Sequence, residues 1–234
     1  MGTHIRTVMI TGAAGNLGRC VARAFHASGA NLVLVDLRRE SLAAAFGAAD
    51  ERRLFAPADL LDQEQASGVA RAAIERFGRI DVLCNLAGSF HMGEAVHETA
   101  DRNWEFLFDI NGRTLLHAVR AVVPRMVEGG GGKIVNVGAF AAQKGLARMG
   151  AYCAAKSAVI RLTEAMAAEL REKHINVNCV LPTILDTPEN RTAMPDDDPA
   201  RWVAPEDLAS VIFFLASDGA RAIHGAALPV TALS

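Results

Sequence analysis

The stretch that decides the fold is Thr11-Gly12-Ala13-Ala14-Gly15-Asn16-Leu17-Gly18, which directly follows an apolar, β-branched run. Gly12 permits a tight turn, Gly15 lets the backbone approach a phosphate, and Gly18 allows a helix to pack closely on a strand. A helix that opens here presents N–H groups and positive potential to an anion. A plain glycine turn is the alternative, but the position between a first strand and a first helix favours a nucleotide-binding loop. Its predicted cofactor contacts are Gly12, Gly15, Asn16, Leu17 and Gly18.

On both sides of this loop, short β-branched runs alternate with longer amphipathic stretches. They predict strands at 5–11, 31–36, 53–56, 80–86, 133–137, 175–181 and 226–230, and helices at 16–28, 39–47, 63–77, 101–127, 151–173 and 205–217. Such alternation is typical of βαβ units. We therefore expect an α/β fold, a single-domain doubly wound (Rossmann) parallel sheet of about seven strands with helices on both faces, over residues 1–234. Residues 186–202 follow the sixth strand and are expected to form a substrate loop.

The composition excludes several classes of protein. Of 234 residues, 51% are hydrophobic and 21% charged, and the net charge is −2, which argues against disorder and against nucleic acid or an anionic membrane as partner. No run of about 18 uncharged apolar residues is present, so no membrane span is expected. The histidine spacing predicts no metal site. A signal-peptide core is missing from residues 1–6, and we expect four buried free thiols and a cytoplasmic location; the thiols are Cys20, Cys84, Cys153 and Cys179.

Carboxylates at two predicted strand ends suggest how a nucleotide is recognised. Asp36 ends the second strand, where a carboxylate accepts the ribose hydroxyls and repels a 2′-phosphate. With Leu37 beside it, Asp36 favours NAD(H) over NADP(H); the alternative is a solvated strand-end carboxylate. Asp59 and Leu60 follow the third strand, where Asp59 either reaches the adenine amino group or caps a helix. Small residues after the fourth strand let a cofactor lie flat over the strand ends, with Asn85, Ala87 and Gly88 as contacts.

Tyr152 and Lys156 lie four residues apart at the start of a predicted helix, so they share one face. The ammonium is expected to lower the pKa of the phenol and to make Tyr152 a proton donor or acceptor near neutral pH. The spacing alone is common, and it becomes specific only together with the other motifs.

Taken together, these motifs resemble the short-chain dehydrogenase/reductase superfamily over nearly the whole chain. The resemblance implies that Tyr152 is the general acid/base, that Lys156 holds the nicotinamide ribose, and that Asn111 anchors a water in a proton relay. Asn111 has the alternative of a local hydrogen bond within its helix. The same resemblance implies nicotinamide contacts after the sixth strand, from Pro182, Leu185 and Thr187.

The superfamily usually has a serine 13 residues before the tyrosine, where this chain has Ala139. Losing such a hydrogen-bond donor typically costs about 10²–10³ in rate. Three interpretations stay open: the protein only binds nucleotide, Gln143 or a water replaces the serine, or the substrate does not need the donor. Residues 180–202 resemble the matching loop of quinoid dihydropteridine reductase, which also lacks the serine, and this implies a quinonoid substrate. Asn111 departs from that second resemblance.

Two further residues of the loop are candidate substrate contacts. Arg191 either faces the substrate or pairs with the acidic run at 196–198, and Trp202 either stacks on the substrate or pins the loop. The leading prediction is an NAD(H)-dependent oxidoreductase that moves hydride to or from a small carbonyl, imine or quinonoid substrate. The alternative is a catalytically impaired nucleotide-binding sensor or scaffold. The resemblance also implies a homodimer or homotetramer formed through helices 101–127 and 151–173.

Overall fold

The β-branched runs form seven strands of one parallel sheet in the computed structural model, which describes residues 5–234. The strands are ordered β3-β2-β1-β4-β5-β6-β7. Their bounds are β1 Thr7–Thr11, β2 Asn31–Asp36, β3 Arg53–Pro57, β4 Val82–Asn85, β5 Gly132–Val137, β6 Ile175–Pro182 and β7 Ala227–Val230. The predicted fold class, a doubly wound parallel sheet of seven strands, is confirmed. Residues 1–4, part of the stretch used to argue against a signal peptide, lie outside the described residues.

Eight helices connect these strands in the described part of the chain. They are α1 Asn16–Ala27, α2 Arg39–Phe46, α3 Gln63–Phe77, α4 Asp101–Phe108, α5 Thr114–Glu128, α6 Gly150–Leu170, α7 Pro188–Ala193 and α8 Pro205–Leu215. Five helices agree with the sequence prediction to within a few residues. None of the described helices is long and apolar enough to cross a membrane.

The strand order reverses at β1, because β2 and β3 lie on one side of it and β4 to β7 on the other. In doubly wound sheets the crevice outside the carboxyl ends of the strands at this switch point is where ligands bind. The ends of β1 and β4 therefore place the glycine loop and residues 86–88 side by side.

Both faces of the sheet are covered, since alternate residues of each strand pack against different helices. One core contains Met9 and Leu83 with side chains of α3, α5 and α6, and the other contains Ile10 and Cys84 with side chains of α1 and α8. The predicted cysteine state is borne out, because Cys20, Cys84, Cys153 and Cys179 are all buried and free.

The predicted helix over 101–127 is wrong as a continuous α-helix. A π-helical turn, Asp109–Arg113, separates α4 from α5. Within it, the side-chain amide of Asn111 donates to the carbonyl oxygen of Leu107 at 3.0 Å, and so satisfies a carbonyl of the preceding turn. Such π turns inside helices are frequent at functional sites.

Smaller corrections concern other element bounds. The first and fourth strands are shorter than predicted, and the helix predicted over 151–173 ends at Leu170, with a 3₁₀ turn after it. The segment 186–202 was expected as a loop but contains α7. Thr187 caps α7, since its hydroxyl accepts the N–H of Asn190 at 3.2 Å, and Pro188 occupies the first turn. Thr-Pro is a helix-start signal that could have revealed α7 from the sequence.

Candidate active site

The hydroxyl of Thr11 joins the ends of β1 and β4. Its oxygen accepts the backbone N–H of Leu86 at 3.0 Å and of Ala87 at 3.1 Å. Thr11 is 1% exposed, so these bonds are sheltered from water. The sequence prediction did not single out Thr11, although a hydroxyl at the last residue of the first strand was a visible signal.

Glycines let the backbone segments at this junction approach one another closely. Gly12 has φ +63°, and a Cβ there would lie 3.0 Å from the backbone nitrogen of Ala87. A Cβ on Gly18 would overlap the carbonyl oxygen of Gly12. Gly15 precedes α1 without a side-chain cap, and the first turn, which includes Asn16 and Leu17, carries no acidic residue. The loop therefore has the open, positively polarised helix start that a dinucleotide phosphate needs, and it fits such a cofactor.

Asp36 lies where the sequence predicted, at the end of β2. One carboxylate oxygen accepts the N–H of Ala14 at 3.0 Å and the other accepts the N–H of Leu37 at 2.9 Å. The carboxylate is therefore fixed against the glycine loop. The Leu37 side chain beside it is 64% exposed, which leaves an apolar surface free next to Asp36.

Asp59 is not the helix cap that one interpretation proposed. Its carboxylate accepts the N–H of Leu61 at 2.9 Å, whereas Asp62 caps α3 by accepting from Glu64 and Gln65. The Leu60 side chain packs in the core, so a cofactor contact from Leu60 would have to come from its backbone.

The Asn85 side chain points into the protein. Its amide donates to the side chain of Asn136 at 2.9 Å, and Asn136 donates to the hydroxyl of Thr163 at 2.8 Å. This buried chain ties β4, β5 and α6 together. Of the predicted contacts after β4, Ala87 and Gly88 therefore offer the surface over which a cofactor can lie.

Gly88, Asn111 and Lys156 meet at one point. A Cβ on Gly88 would lie 2.8 Å from Oδ1 of Asn111 and 3.1 Å from Nζ of Lys156. The Asn111 amide donates to the carbonyl oxygen of Ser89 at 3.0 Å and accepts the N–H of Ser89 at 3.1 Å. The local hydrogen bonds that were the alternative for Asn111 are therefore present, and its role in a proton relay stays a prediction.

Lys156 is 6% exposed, and its ammonium donates to the carbonyl oxygen of Val137 at 2.9 Å. Burial lowers the pKa of Lys156 to about 8. Burial also raises the pKa of Tyr152 to about 12, and the neighbouring Cys153 adds to the rise. The expected lowering of the phenol pKa is therefore wrong for this structure, because desolvation of the phenolate dominates. The ring of Phe90 packs edge-on against Tyr152, with centroids 4.8 Å apart.

Ala139 lies two residues after the end of β5, in an extended conformation, and is 4% exposed. Gln143, its suggested substitute, lies in the following 3₁₀ turn with its side chain exposed, and it makes no side-chain hydrogen bond within residues 5–234. Position 139 thus has no hydroxyl, and no hydrogen bond from the described residues fixes the side chain of Gln143 in its place.

The residues of the segment 186–202 are placed differently from the predictions. Arg191 pairs with Asp186, at 2.5 and 2.7 Å, and not with the acidic run at 196–198. Trp202 is 6% exposed, which agrees with the alternative that it pins the segment. At the end of β6, Pro182 pairs with Val230, and Leu185 forms a bridge with Val203.

One contact that the sequence did not predict joins the glycine loop to α7. The amide of Asn16 donates to the carboxylate of Glu189 at 2.7 Å. Within residues 5–234, no group of three potential metal-ligating side chains is arranged to hold an ion.

Comparison with known proteins decides the family. A model described as short chain dehydrogenase matches residues 6–198. The chain belongs to the short-chain dehydrogenase family. It is therefore an NAD(P)-dependent oxidoreductase, and its cofactor is a nicotinamide dinucleotide.

Individual family members resemble the whole chain. It is 32% identical to the (2S)-[(R)-hydroxy(phenyl)methyl]succinyl-CoA dehydrogenase subunit BbsD of Thauera aromatica, over 98% of this chain and 96% of that protein. It is 33% identical to D-threitol dehydrogenase of Mycolicibacterium smegmatis, over 96% of this chain and 91% of that protein. The structure of NAD⁺-bound xylitol dehydrogenase superposes with a TM-score of 0.89 at 26% identity, over 99% of this chain and 100% of that one. The finer resemblance to quinoid dihydropteridine reductase stays a prediction.

The Thr11 contact leads to a prediction with a matched control in the same strand. Thr11→Val should destabilise the protein by about 1–3 kcal/mol, because the N–H groups of Leu86 and Ala87 lose their acceptor. Thr7→Val should be neutral or stabilising, since the buried Thr7 hydroxyl has no hydrogen-bond partner in the described chain. Denaturant unfolding measures both, and titration with NADH should show weaker binding only for Thr11→Val. Equal effects of the two substitutions would contradict the role given to Thr11.

Proposed function

We propose that this short-chain dehydrogenase is an NAD(H)-dependent enzyme that interconverts a small alcohol and its carbonyl compound, with Tyr152 as the general acid/base. The observation that carries the proposal is the meeting of Gly88, Asn111 and Lys156 on the surface that leads to Tyr152. A side chain on Gly88 would collide with Asn111 and with the ammonium of Lys156, so the bare glycine is what lets both groups approach the strand end. The bound dinucleotide supplies or accepts the hydride.

The protein groups then divide the remaining work. With its pKa near 12, Tyr152 is protonated at neutral pH and can donate its phenolic proton to a carbonyl oxygen in reduction. In oxidation the same oxygen must first lose its proton and then accept that of the alcohol. Lys156, mostly charged below its pKa of about 8, stabilises that phenolate and offers its remaining N–H groups to the cofactor ribose. Asn111 positions Ser89 and Gly88, and through its backbone it holds a relay water.

The cofactor preference rests on Asp36. Its carboxylate is held by Ala14 and Leu37 next to the glycine loop, so it can accept two ribose hydroxyls but would repel a 2′-phosphate. Pro182, Leu185 and Thr187 line the nicotinamide end of the proposed site, and Leu37, Asp59 and the Leu60 backbone the adenine end.

An alcohol or ketone substrate is favoured over the quinonoid alternative by the comparisons, because similar proteins are named dehydrogenases of threitol and xylitol. Ala139 is the observation that favours the second candidate, a nucleotide-binding protein without catalysis. The retained Tyr152, Lys156 and Asn111 weigh against it, since binding alone needs no phenol.

Self-association and location complete the proposal. A homodimer or homotetramer through α4, α5 and α6 is supported by aromatic side chains that α4 leaves exposed, since Trp104 and Phe106 are each 47% exposed. The four free thiols support a reducing compartment such as the cytoplasm.

The test of the proposed function is steady-state turnover of NADH or NAD⁺ with a panel of alcohols, ketones, imines, quinones and a quinonoid pterin. At least one alcohol–ketone pair should react, and Tyr152→Phe should lose about 10²–10⁴ in kcat while still binding NADH. Oxidation should quicken as the pH rises, because it needs the Tyr152 phenolate, whereas reduction should not. If NADH binds but no compound is turned over, the enzymatic function is excluded and the alternative of a nucleotide-binding sensor or scaffold is favoured.

Substitution of Asp36 tests the cofactor preference. Asp36→Ala should shift the NADH/NADPH ratio of kcat/KM toward NADPH by about tenfold, equivalent to ~1.4 kcal/mol, because the repulsion of the 2′-phosphate is removed. Glu40→Ala, which removes an exposed carboxylate four residues further along, is the control and should leave the ratio unchanged. An unmoved ratio in Asp36→Ala would make the ribose assignment wrong.

The missing donor is tested by Ala139→Ser. If the reaction lacks only that hydrogen bond, ketone reduction should rise by up to about 10²–10³, the effect on rate that is known for such donors. Ala141→Ser, in the adjoining turn, is the control and should not change the rate. An unchanged or slower reaction in Ala139→Ser would show that another group already positions the substrate.

A further inference from the structure

A small cavity with a mixed polar and apolar lining lies beside Tyr152, where the segment after β4 meets the start of α6. Its volume is about 10 Å³, which is about the space of one water molecule or hydroxyl group. Tyr152 and Arg148 line it together with four other polar residues, namely His91, Glu94, Thr99 and Asn103. We call these four residues the polar cluster.

The hydrogen bonds within the polar cluster leave two acceptor atoms without a partner in the described residues. The Asn103 amide donates to one Glu94 carboxylate oxygen at 2.5 Å and lies 3.4 Å from Nε2 of His91. The hydroxyl of Thr99 donates to the carbonyl oxygen of Ala95 at 3.2 Å. Within residues 5–234, Oδ1 of Asn103 and the second carboxylate oxygen of Glu94 make no hydrogen bond. Since these two open atoms are acceptors, an O–H group that enters the cavity can donate to either of them.

Two contacts fix the polar cluster relative to Tyr152. The Phe90 ring, adjacent to His91, packs edge-on against the Tyr152 ring at 4.8 Å. Gly93, adjacent to Glu94, exchanges two hydrogen bonds with Arg148, at 2.8 Å from its N–H and 3.1 Å to its carbonyl oxygen. The segment that carries the cluster is therefore attached to the residues just before Tyr152.

We propose that the polar cluster binds a second hydroxyl of the substrate, next to the carbon that is oxidised or reduced. The substrate class is then a 1,2-diol or larger polyol and the matching hydroxyketone. This inference rests on the proposed function and adds to it the substrate class. The bound hydroxyl donates to Glu94 or Asn103, and this second attachment point orients a substrate that receives no hydroxyl from Ala139.

A pair of substrates that differ by one hydroxyl tests the inference. The ratio of kcat/KM for NAD⁺-linked oxidation of 2,3-butanediol to that of 2-butanol should favour the diol in the unmodified enzyme. Asn103→Leu and Glu94→Gln should each lower this ratio by about ten- to hundredfold, the usual effect of losing a hydrogen bond that involves a charged or buried group. Glu98→Gln changes an exposed carboxylate outside the cavity and should leave the ratio unchanged. Melting temperatures show that each variant folds, and Glu94→Gln keeps the shape of the side chain.

The outcomes separate the inference from the function on which it rests. Equal use of both alcohols, or use of 2-butanol alone, would overturn the polar subsite and leave the oxidoreductase in place. A diol preference that survives in folded Asn103→Leu and Glu94→Gln would place the hydroxyl elsewhere and also overturn it. NADH binding with no turnover of any alcohol or carbonyl compound would overturn the proposed function, and the inference would fall with it.

Discussion

The site depends on a single hydroxyl, that of Thr11, which accepts the N–H groups of Leu86 and Ala87. This contact closes the point where the strand order reverses, and it brings the glycine loop within van der Waals distance of the segment after β4. Without it, two backbone donors at the carboxyl edge would lose their partner. The glycine loop and the segment after β4 are thereby parts of one hydrogen-bonded edge.

From this edge, contacts run without interruption to α6, the helix that carries Tyr152 and Lys156. Ala87 leads to Gly88, whose missing side chain lets Asn111 and Lys156 approach, and Lys156 reaches back to the carbonyl of Val137. Tyr152 lies one turn before Lys156 on α6, and the buried Asn85–Asn136–Thr163 chain ties the same helix to the sheet. Small residues at the edge and buried amides beneath it thus hold the phenol and the ammonium in fixed positions.

The sequence was sufficient for the alternation of elements, the glycine loop and the placing of Asp36, because these follow from local patterns. It was not sufficient for features set by contacts distant in the chain. Asn111 in the π turn bonds to Ser89, the partner of Arg191 is Asp186 and not the acidic run, and Asn16 bonds to Glu189. The spacing of Tyr152 and Lys156 predicted a lowered pKa for the phenol. The burial that instead raises the pKa of Tyr152 cannot be read from a four-residue spacing.

A crystal structure of the protein with NADH bound is the sharpest test of this arrangement. We expect the diphosphate at the start of α1, the ribose hydroxyls on Asp36, and the nicotinamide ring over Gly88 within reach of the Tyr152 hydroxyl. A dinucleotide bound with its nicotinamide away from Tyr152, or with its ribose away from Asp36, would contradict it.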